Sequence, residues 1–382
     1  MRWDALRLDD QAADGAPAPL VERGAVTRRF DTPEFAGMTF YEVAARSALN
    51  KVPEARRLPF GWTVNPYRGC SHACVYCFAR GTHAYLDLDV GRGFDTEVVV
   101  KTNVAQVLRR ELARPSWRRE HVAMGTSTDP YQRAEGRYGL MPGVLDALVQ
   151  ARTPFSVLTK GTLVLRDLDR LVDAAGQVDV SLALSVGLAD ERLWRLLEPG
   201  TPRPSARLDA VRRLTGAGLR TGVMVAPLVP GISDDEESVD AAVGAAARAG
   251  TAWVSGLVLH LKPGAREVFR EWQRRERPDL DGLYDRLYGR SAYAPRAYQE
   301  QVGARVRAAA ARHGVGAQPQ VWREPPRPGV PVADAQENDG WRSSVRGTDG
   351  RPPRQDVPQG GAGGWRSSSR QAAPDGVQLA ML

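Results

Sequence analysis

Cysteine is scarce in this chain: 382 residues contain three. All three fall within eight positions, at Cys70, Cys74 and Cys77. None is left to pair elsewhere, so a disulfide framework is excluded and a reduced, cytoplasmic setting is expected. Lysine is nearly as rare. Only Lys51, Lys101, Lys160 and Lys262 occur, within a Lys plus Arg total of 52. With alanine and glycine abundant, that bias is what a GC-rich coding sequence produces. The formal net charge of +7 therefore permits a nucleic-acid partner without demanding one. No apolar run reaches the ~18 residues of a membrane helix. The N-terminal Met1-Arg2-Trp3-Asp4 lacks the apolar core of a signal peptide. No internal repeat with a period of about 20–50 residues is evident, so a solenoid is not expected.

What is present is concentrated in Asn65-Pro66-Tyr67-Arg68-Gly69-Cys70-Ser71-His72-Ala73-Cys74-Val75-Tyr76-Cys77-Phe78-Ala79. Three thiolates this close fit one soft metal centre. A zinc site needs a fourth ligand, which His72 or His83 would have to supply. That alternative describes a zinc-binding, nucleic-acid-associated module without catalysis. A redox dithiol at Cys74-x-x-Cys77 leaves Cys70 unexplained. A [4Fe–4S] cluster normally takes four cysteines, so three leave one iron open to an outside ligand.

Cys-x3-Cys-x2-Cys with an aromatic, Tyr76, before the last cysteine resembles the signature of the radical S-adenosylmethionine (SAM) superfamily. Thr-Asp-Pro-Tyr-Gln at 128–132 and the run 45–53 ahead of the cysteines resemble its spore photoproduct lyase-like branch. The resemblance implies a [4Fe–4S] cluster on Cys70, Cys74 and Cys77, with SAM completing the open iron. It implies reductive cleavage of SAM to methionine and a 5′-deoxyadenosyl radical, driven by an external electron donor of flavodoxin or ferredoxin type. It further implies that Tyr76 and Phe78 line the adenine. Ser127, Thr128 and Asp129 would accept from the SAM ammonium, Lys160 would meet its carboxylate, and Ser185 would meet its ribose. The stretch 227–232 resembles the adenine-side loop, and His260 is placed to face the same pocket. The branch's cysteine hydrogen donor has no counterpart among three cysteines already assigned. Its substrate is therefore not carried over, and nucleic acid stands as one candidate among others.

Hydrophobic patterning supports an α/β fold. Residues 61–64, 121–128, 155–159, 178–186, 221–228 and 253–261 read as core strands. The β-branched stretch 96–101 precedes a helical pattern carrying Val104, Val107, Leu108 and Leu112. Helices are expected over 140–151, 165–175, 190–197, 206–217 and 238–249, and a short one within 35–50. Alternating strands and helices require a parallel sheet. The resemblance names it as a partial (β/α)6 barrel, with the cysteine loop at the C-terminal end of the first strand. The expected layout is an N-terminal arm (1–54), a core (55–265), a helical C-terminal extension (266–324) and a disordered tail (325–382). In the tail Pro-, Gly- and Ser-rich runs cannot bury a core.

Overall fold

The computed structural model describes residues 24–52 and 60–317. The boundary expected at 54–55 and the tail from 325 onward lie outside the described residues. Ahead of the cysteines come β1 (Val26–Arg28), β2 (Thr39–Val43), β3 (Leu49–Lys51), β4 (Trp62–Val64) and the two-residue β5 (Tyr67–Arg68). After them a 3-10 segment, Phe78–Leu86, leads to α1 (Arg92–Thr96), β6 (Glu97–Lys101) and α2 (Val104–Leu112). The chain continues through β7 (Val122–Met124), α3 (Arg133–Tyr138), α4 (Leu140–Gln150), β8 (Phe155–Thr159) and α5 (Leu168–Ala175). Next come β9 (Val180–Ser185), α6 (Glu191–Leu197), α7 (Pro204–Gly216), β10 (Thr221–Leu228), α8 (Glu236–Arg248) and β11 (Trp253–Val258). Three helices follow: α9 (Ala265–Glu276), α10 (Asp281–Tyr288) and α11 (Arg296–Arg312).

The main sheet has seven strands in the order β11-β10-β9-β8-β7-β4-β3. Its six strands from β4 to β11 are parallel and follow chain order, as the partial (β/α)6 barrel requires. β3 adds an antiparallel edge beside β4. All six residues of β9 are buried, because helices cover one face and the barrel interior fills the other. α2 shows the complementary logic. Val104, Val107, Leu108 and Leu112 recur at helical spacing and are all buried, while Arg109 and Arg110 stay outside. In such a barrel the loops after the strands gather at one face. The cysteine loop follows β4, 125–132 follows β7, Lys160 follows β8, and 227–232 begins at the end of β10.

The N-terminal part departs from expectation. No helix spans 35–50. β2 and β3 occupy it, with a single 3-10 turn at Pro33–Phe35 just before. Thr39-Phe40-Tyr41-Glu42-Val43 is β-branched and aromatic, and it fits a pleated surface better than a helix. β2 lies between β1 and β6 in a second, four-stranded sheet ordered β1-β2-β6-β5. Val98 and Val100 face one core with Phe40 and Tyr67, while Val99 faces another with Tyr41, Leu86 and Leu88. The sheet is thus buried on both sides, which is why β6 reads as a continuous apolar run. Two side chains around α2 hold the link to β3. Asn103 exchanges hydrogen bonds with the backbone of Ala45 at 2.7 and 3.0 Å. Glu111 accepts from Ser47 Oγ, Ala48 N and Leu49 N at 2.7–3.0 Å.

The C-terminal helices close onto the barrel through hydroxyls. Tyr284 donates to the Pro230 carbonyl at 2.9 Å and Tyr288 to that of Leu259 at 2.7 Å. Backbone meets backbone where the 3-10 segment touches the loop before α9. A Cβ on Gly81 would lie 2.8 Å from the Pro263 carbonyl, and one on Gly264, at φ +86°, 2.9 Å from Gly81 N. Only glycines permit that approach.

His83 supports the base of the cysteine loop. It is fully buried, its Nε2 lies 2.9 Å from the Glu97 carbonyl, and its ring packs on Phe94 at 5.1 Å. Burial pushes its pKa down to about 4. The unfolded chain binds this proton first, so the contribution is complete above pH ~6.5 and is lost as pH falls toward 4, at up to about 1.4 kcal/mol per pH unit. Unfolding titrations between pH 7 and 4.5 should show a flatter slope for His83→Gln than for the wild type. Parallel slopes would count against this assignment.

Candidate functional site

The cysteine loop is a chain of tight turns. The carbonyl of Cys70 accepts from Ala73 N at 3.2 Å, that of Cys74 from Cys77 N at 3.1 Å, and that of Cys77 from Arg80 N at 3.2 Å. Ala73, between the first two cysteines, sits at φ +51°. A residue with a Cβ in that region costs about 1–2 kcal/mol, so the surroundings must hold it. Gly69, at φ +78°, is needed outright: a Cβ there would stand 2.6 Å from the Glu97 carbonyl.

What holds the loop comes from elsewhere in the chain. Gln132, fully buried, accepts from Ser71 N at 2.9 Å and donates to Gly69 O and Thr128 Oγ1, both at 3.0 Å. Thr128 Oγ1 also donates to Gly69 O at 2.8 Å. The end of α6 and the turn after it add two backbone bonds, Val75 N to Leu197 O and Gly200 N to His72 O, both 3.0 Å. Arg80, 1% exposed, donates to the Cys74 carbonyl at 3.0 Å and forks onto Asp95 at 2.8 and 2.9 Å.

Asp129, expected to accept from a ligand ammonium, has both oxygens on protein donors instead. Oδ1 accepts from Tyr131 N at 2.9 Å and Thr159 Oγ1 at 2.5 Å. Oδ2 accepts from Lys160 N at 2.6 Å and lies 3.3 Å from His72 Nδ1. Burial alone would lower the His72 pKa, but the Asp129 carboxylate and Cys70 raise it to about 10. Burial alone would raise Asp129, and the His72 charge holds it below the usual carboxylate range. The pair brackets the cysteine loop to the ends of β7 and β8.

The three cysteines, Tyr76, Phe78, Ser127, Thr128, Asp129, Lys160 and Ser185 all line one cavity of ≈160 Å³, together with Thr126, Pro227 and His260. The residues named one by one from the sequence for cluster or SAM contact therefore meet at one place, whereas of the stretch 227–232 Pro227 alone lines it. Lys160 Nζ donates to Ser185 Oγ, lies 3.4 Å from the Ala226 carbonyl, and sits 5.9 Å above the Tyr76 ring. It also lies 3.2 Å from Glu198, a fully buried carboxylate not anticipated from sequence. Burial would raise the Glu198 pKa, but Arg207 and Lys160 bring it down to about 2. Glu198, Arg207, Gln132 and Arg80 are the functional neighbours that residue patterns missed. Gln132 lay inside the quoted 128–132 run, and Glu198 sits in Leu-Leu-Glu-Pro, where an acid reads as a solvated helix end.

The donor set fits a cluster better than a single ion. Among the described residues no three His, Cys, Asp or Glu side chains converge tightly enough to hold one metal ion. Zinc gathers all its ligands at roughly 2.0–2.3 Å from one point, whereas a cubane takes each thiolate on a separate iron. Of the candidate zinc histidines, His72 faces both Asp129 and the Cys70 thiol, and His83 bonds the Glu97 carbonyl. Burial pushes the Cys74 thiol up and the Cys77 thiol to about 12, so a metal must displace their protons to bind. Room for a polar ligand is visible in the wall. Thr126 Oγ1, Ser127 Oγ and His260 Nδ1 are buried without a hydrogen-bond partner, an arrangement that a bound polar group would relieve.

Comparisons with known proteins agree with this geometry. Residues 64–242 match the family model described as the Radical SAM superfamily. An uncharacterized protein of Mycobacterium bovis is 52% identical over 308 residues, covering 80% of this chain and 91% of the relative, and proteins of Mycobacterium tuberculosis match equally. An uncharacterized protein of Acidianus two-tailed virus is 30% identical over 180 residues, 46% of this chain and 58% of that one. A spore photoproduct lyase double mutant, solved with bound AdoMet and dinucleoside spore photoproduct, aligns with TM-score 0.58 at 16% identity over 82% of this chain and 88% of that one. A second structure of that lyase, complexed with the dinucleoside, gives 0.57 at 15% identity over 80% and 86%. At these identities the structural likeness speaks for the fold.

Gln132→Ala should leave Ser71 N without its side-chain acceptor in a buried place, and Gly69 O with Thr128 Oγ1 as its remaining side-chain donor, at a cost of about 1–3 kcal/mol. Thermal melts of the cluster-free protein should show the loss. An unchanged melting temperature would mean the loop is held without Gln132.

Proposed function

The chain belongs to the radical SAM superfamily, and from that premise we propose that Cys70, Cys74 and Cys77 hold a [4Fe–4S] cluster with one iron open to SAM. Members of this superfamily bind both groups, and the chain is a radical SAM enzyme. When bound, the two groups together supply the electron transfer and the 5′-deoxyadenosyl radical on which the chemistry rests. The observation that carries the reading is the meeting of three thiols, two of them buried, a lysine and unpartnered hydroxyls on one cavity at the strand ends.

The chain's own residues bind and orient. Lys160 offers a cationic wall suited to the SAM carboxylate, and Ser185, whose hydroxyl donates to the Ala226 carbonyl at 2.7 Å, holds the Lys160 ammonium from beside it. Ser127, with Thr126, offers acceptors to its ammonium, while Asp129 and Thr128 act one step back by fixing the loop that carries them. Tyr76 and Phe78 present aromatic surface to the adenine. The apolar remainder of the wall, from Leu158, Met224 and Leu257, keeps water from a reactive intermediate. An external reductant of flavodoxin or ferredoxin type delivers the electron, and the cytoplasm is the setting in which such a cluster persists. Among the described residues no helix is long and apolar enough to cross a membrane. Nucleic acid is the candidate substrate class on the strength of the lyase likeness. The missing fourth cysteine separates the chemistry here from that enzyme's hydrogen return.

Anaerobic reconstitution with iron and sulfide should give a broad absorbance near ~400 nm that bleaches with dithionite, as Fe–S centres do. With SAM and reductant, 5′-deoxyadenosine should form, and Cys74→Ala should abolish it. A colourless protein holding one zinc, or an undiminished yield from Cys74→Ala, would contradict the assignment.

A further inference from the structure

Glu198 and Arg207 lie outside the cavity lining, yet between them they touch three of its walls. Glu198 Oε1 accepts from the Tyr76 hydroxyl and stands 3.2 Å from Lys160 Nζ. Its Oε2 pairs with Arg207, which is 1% exposed. Arg207 in turn donates to the Ser185 carbonyl at 2.8 Å and to Thr201 Oγ1 at 2.9 Å. Tyr76 belongs to the cysteine loop, Lys160 to the end of β8 and Ser185 to the end of β9. One carboxylate and one guanidinium thus set the side chains of two cavity residues and the backbone of the third.

One carboxylate stands between two cations and fixes where both sit. Arg207 and Glu198 are sealed, whereas the Lys160 side chain keeps 13% of its surface open and reaches the cavity. Lys160 is therefore the member of the group that can meet a ligand directly.

We infer that Glu198 and Arg207 are a positioning pair for a carboxylate subsite, holding Lys160 against Ser185 and tying it through Tyr76 to the cysteine loop. The inference rests on the reading that the SAM carboxylate is the anion Lys160 meets. A purely structural ion pair would also be buried and would also matter for stability. The distinguishing property is that Glu198 acts on the ligand through Lys160, so its effect should vanish once Lys160 is gone.

A double-mutant cycle on reconstituted protein tests this, with SAM as the probe. Its affinity is measured by equilibrium dialysis, and its approach to the cluster by the change it causes in the EPR signal of the reduced protein. Glu198→Gln and Lys160→Met should each weaken SAM at least about tenfold. The double variant should be no weaker than Lys160→Met alone. Iron content and the SAM-free EPR signal should stay as in the wild type. Additive losses, or wild-type affinity in Glu198→Gln, would overturn the inference. Should Glu198→Gln fail to accumulate, Glu198→Asp replaces it in the same cycle, since the shorter carboxylate cannot span Lys160 and Arg207 together. A wild-type protein whose EPR signal ignores SAM would overturn the cofactor reading and this inference with it. Intact wild-type binding with an indifferent Glu198→Gln overturns the inference alone.

Discussion

A loop without regular structure must keep three thiols still, and its own backbone bonds are too few to do so. The dependence of the whole site on outside support begins here. The loop closes three short turns on itself, and one of them passes through Ala73 in the left-handed region. Other supports reach in from other elements, among them Gln132 beside α3, Asp129 after β7, Leu197 at the end of α6, Gly200 just after it, and Arg80 from the following 3-10 segment. The barrel supplies these supports because parallel strands deliver their loops to one face. Fold and site are therefore linked by a handful of hydrogen bonds rather than by hydrophobic packing alone.

Two buried charge groups flank the cavity, and both concern orientation more than stability. His72–Asp129 clamps the first half of the loop, and Glu198–Arg207–Lys160 borders the second through Tyr76. Buried ion pairs roughly offset their own desolvation cost, so an apolar replacement would serve stability as well. Their retention makes sense where a fixed proton or a fixed positive wall is needed. The Lys160 side is the one that opens to the ligand space. The His72 side is closed by four donors on Asp129 and serves as a brace.

The parts legible in the sequence were those with local signatures. The six parallel strands, the amphipathic helices and the cysteine spacing each carry a period or a pattern within a short window. The second sheet was legible only in part. β6 announced itself as a β-branched run, but 35–50 had apolar residues at spacings that suit a short helix, and its strand character depends on pairing with a partner more than fifty residues away. Asp129 is legible by position, but the donors on its carboxylate are not, because they depend on three segments meeting in space. Glu198 and Arg207 gave no signal at all. An acid and an arginine nine positions apart near Pro and Gly look like ordinary surface until the fold buries both.

The account stands or falls on a cluster iron that the protein leaves bare for SAM. Electron–nuclear double resonance on the reduced, reconstituted protein addresses that iron directly, using SAM labelled with 15N at the amino group and 17O at the carboxylate. The account predicts hyperfine couplings from both labels, as direct ligation of one iron requires. A four-iron signal showing neither coupling, under conditions where SAM is bound, would contradict it.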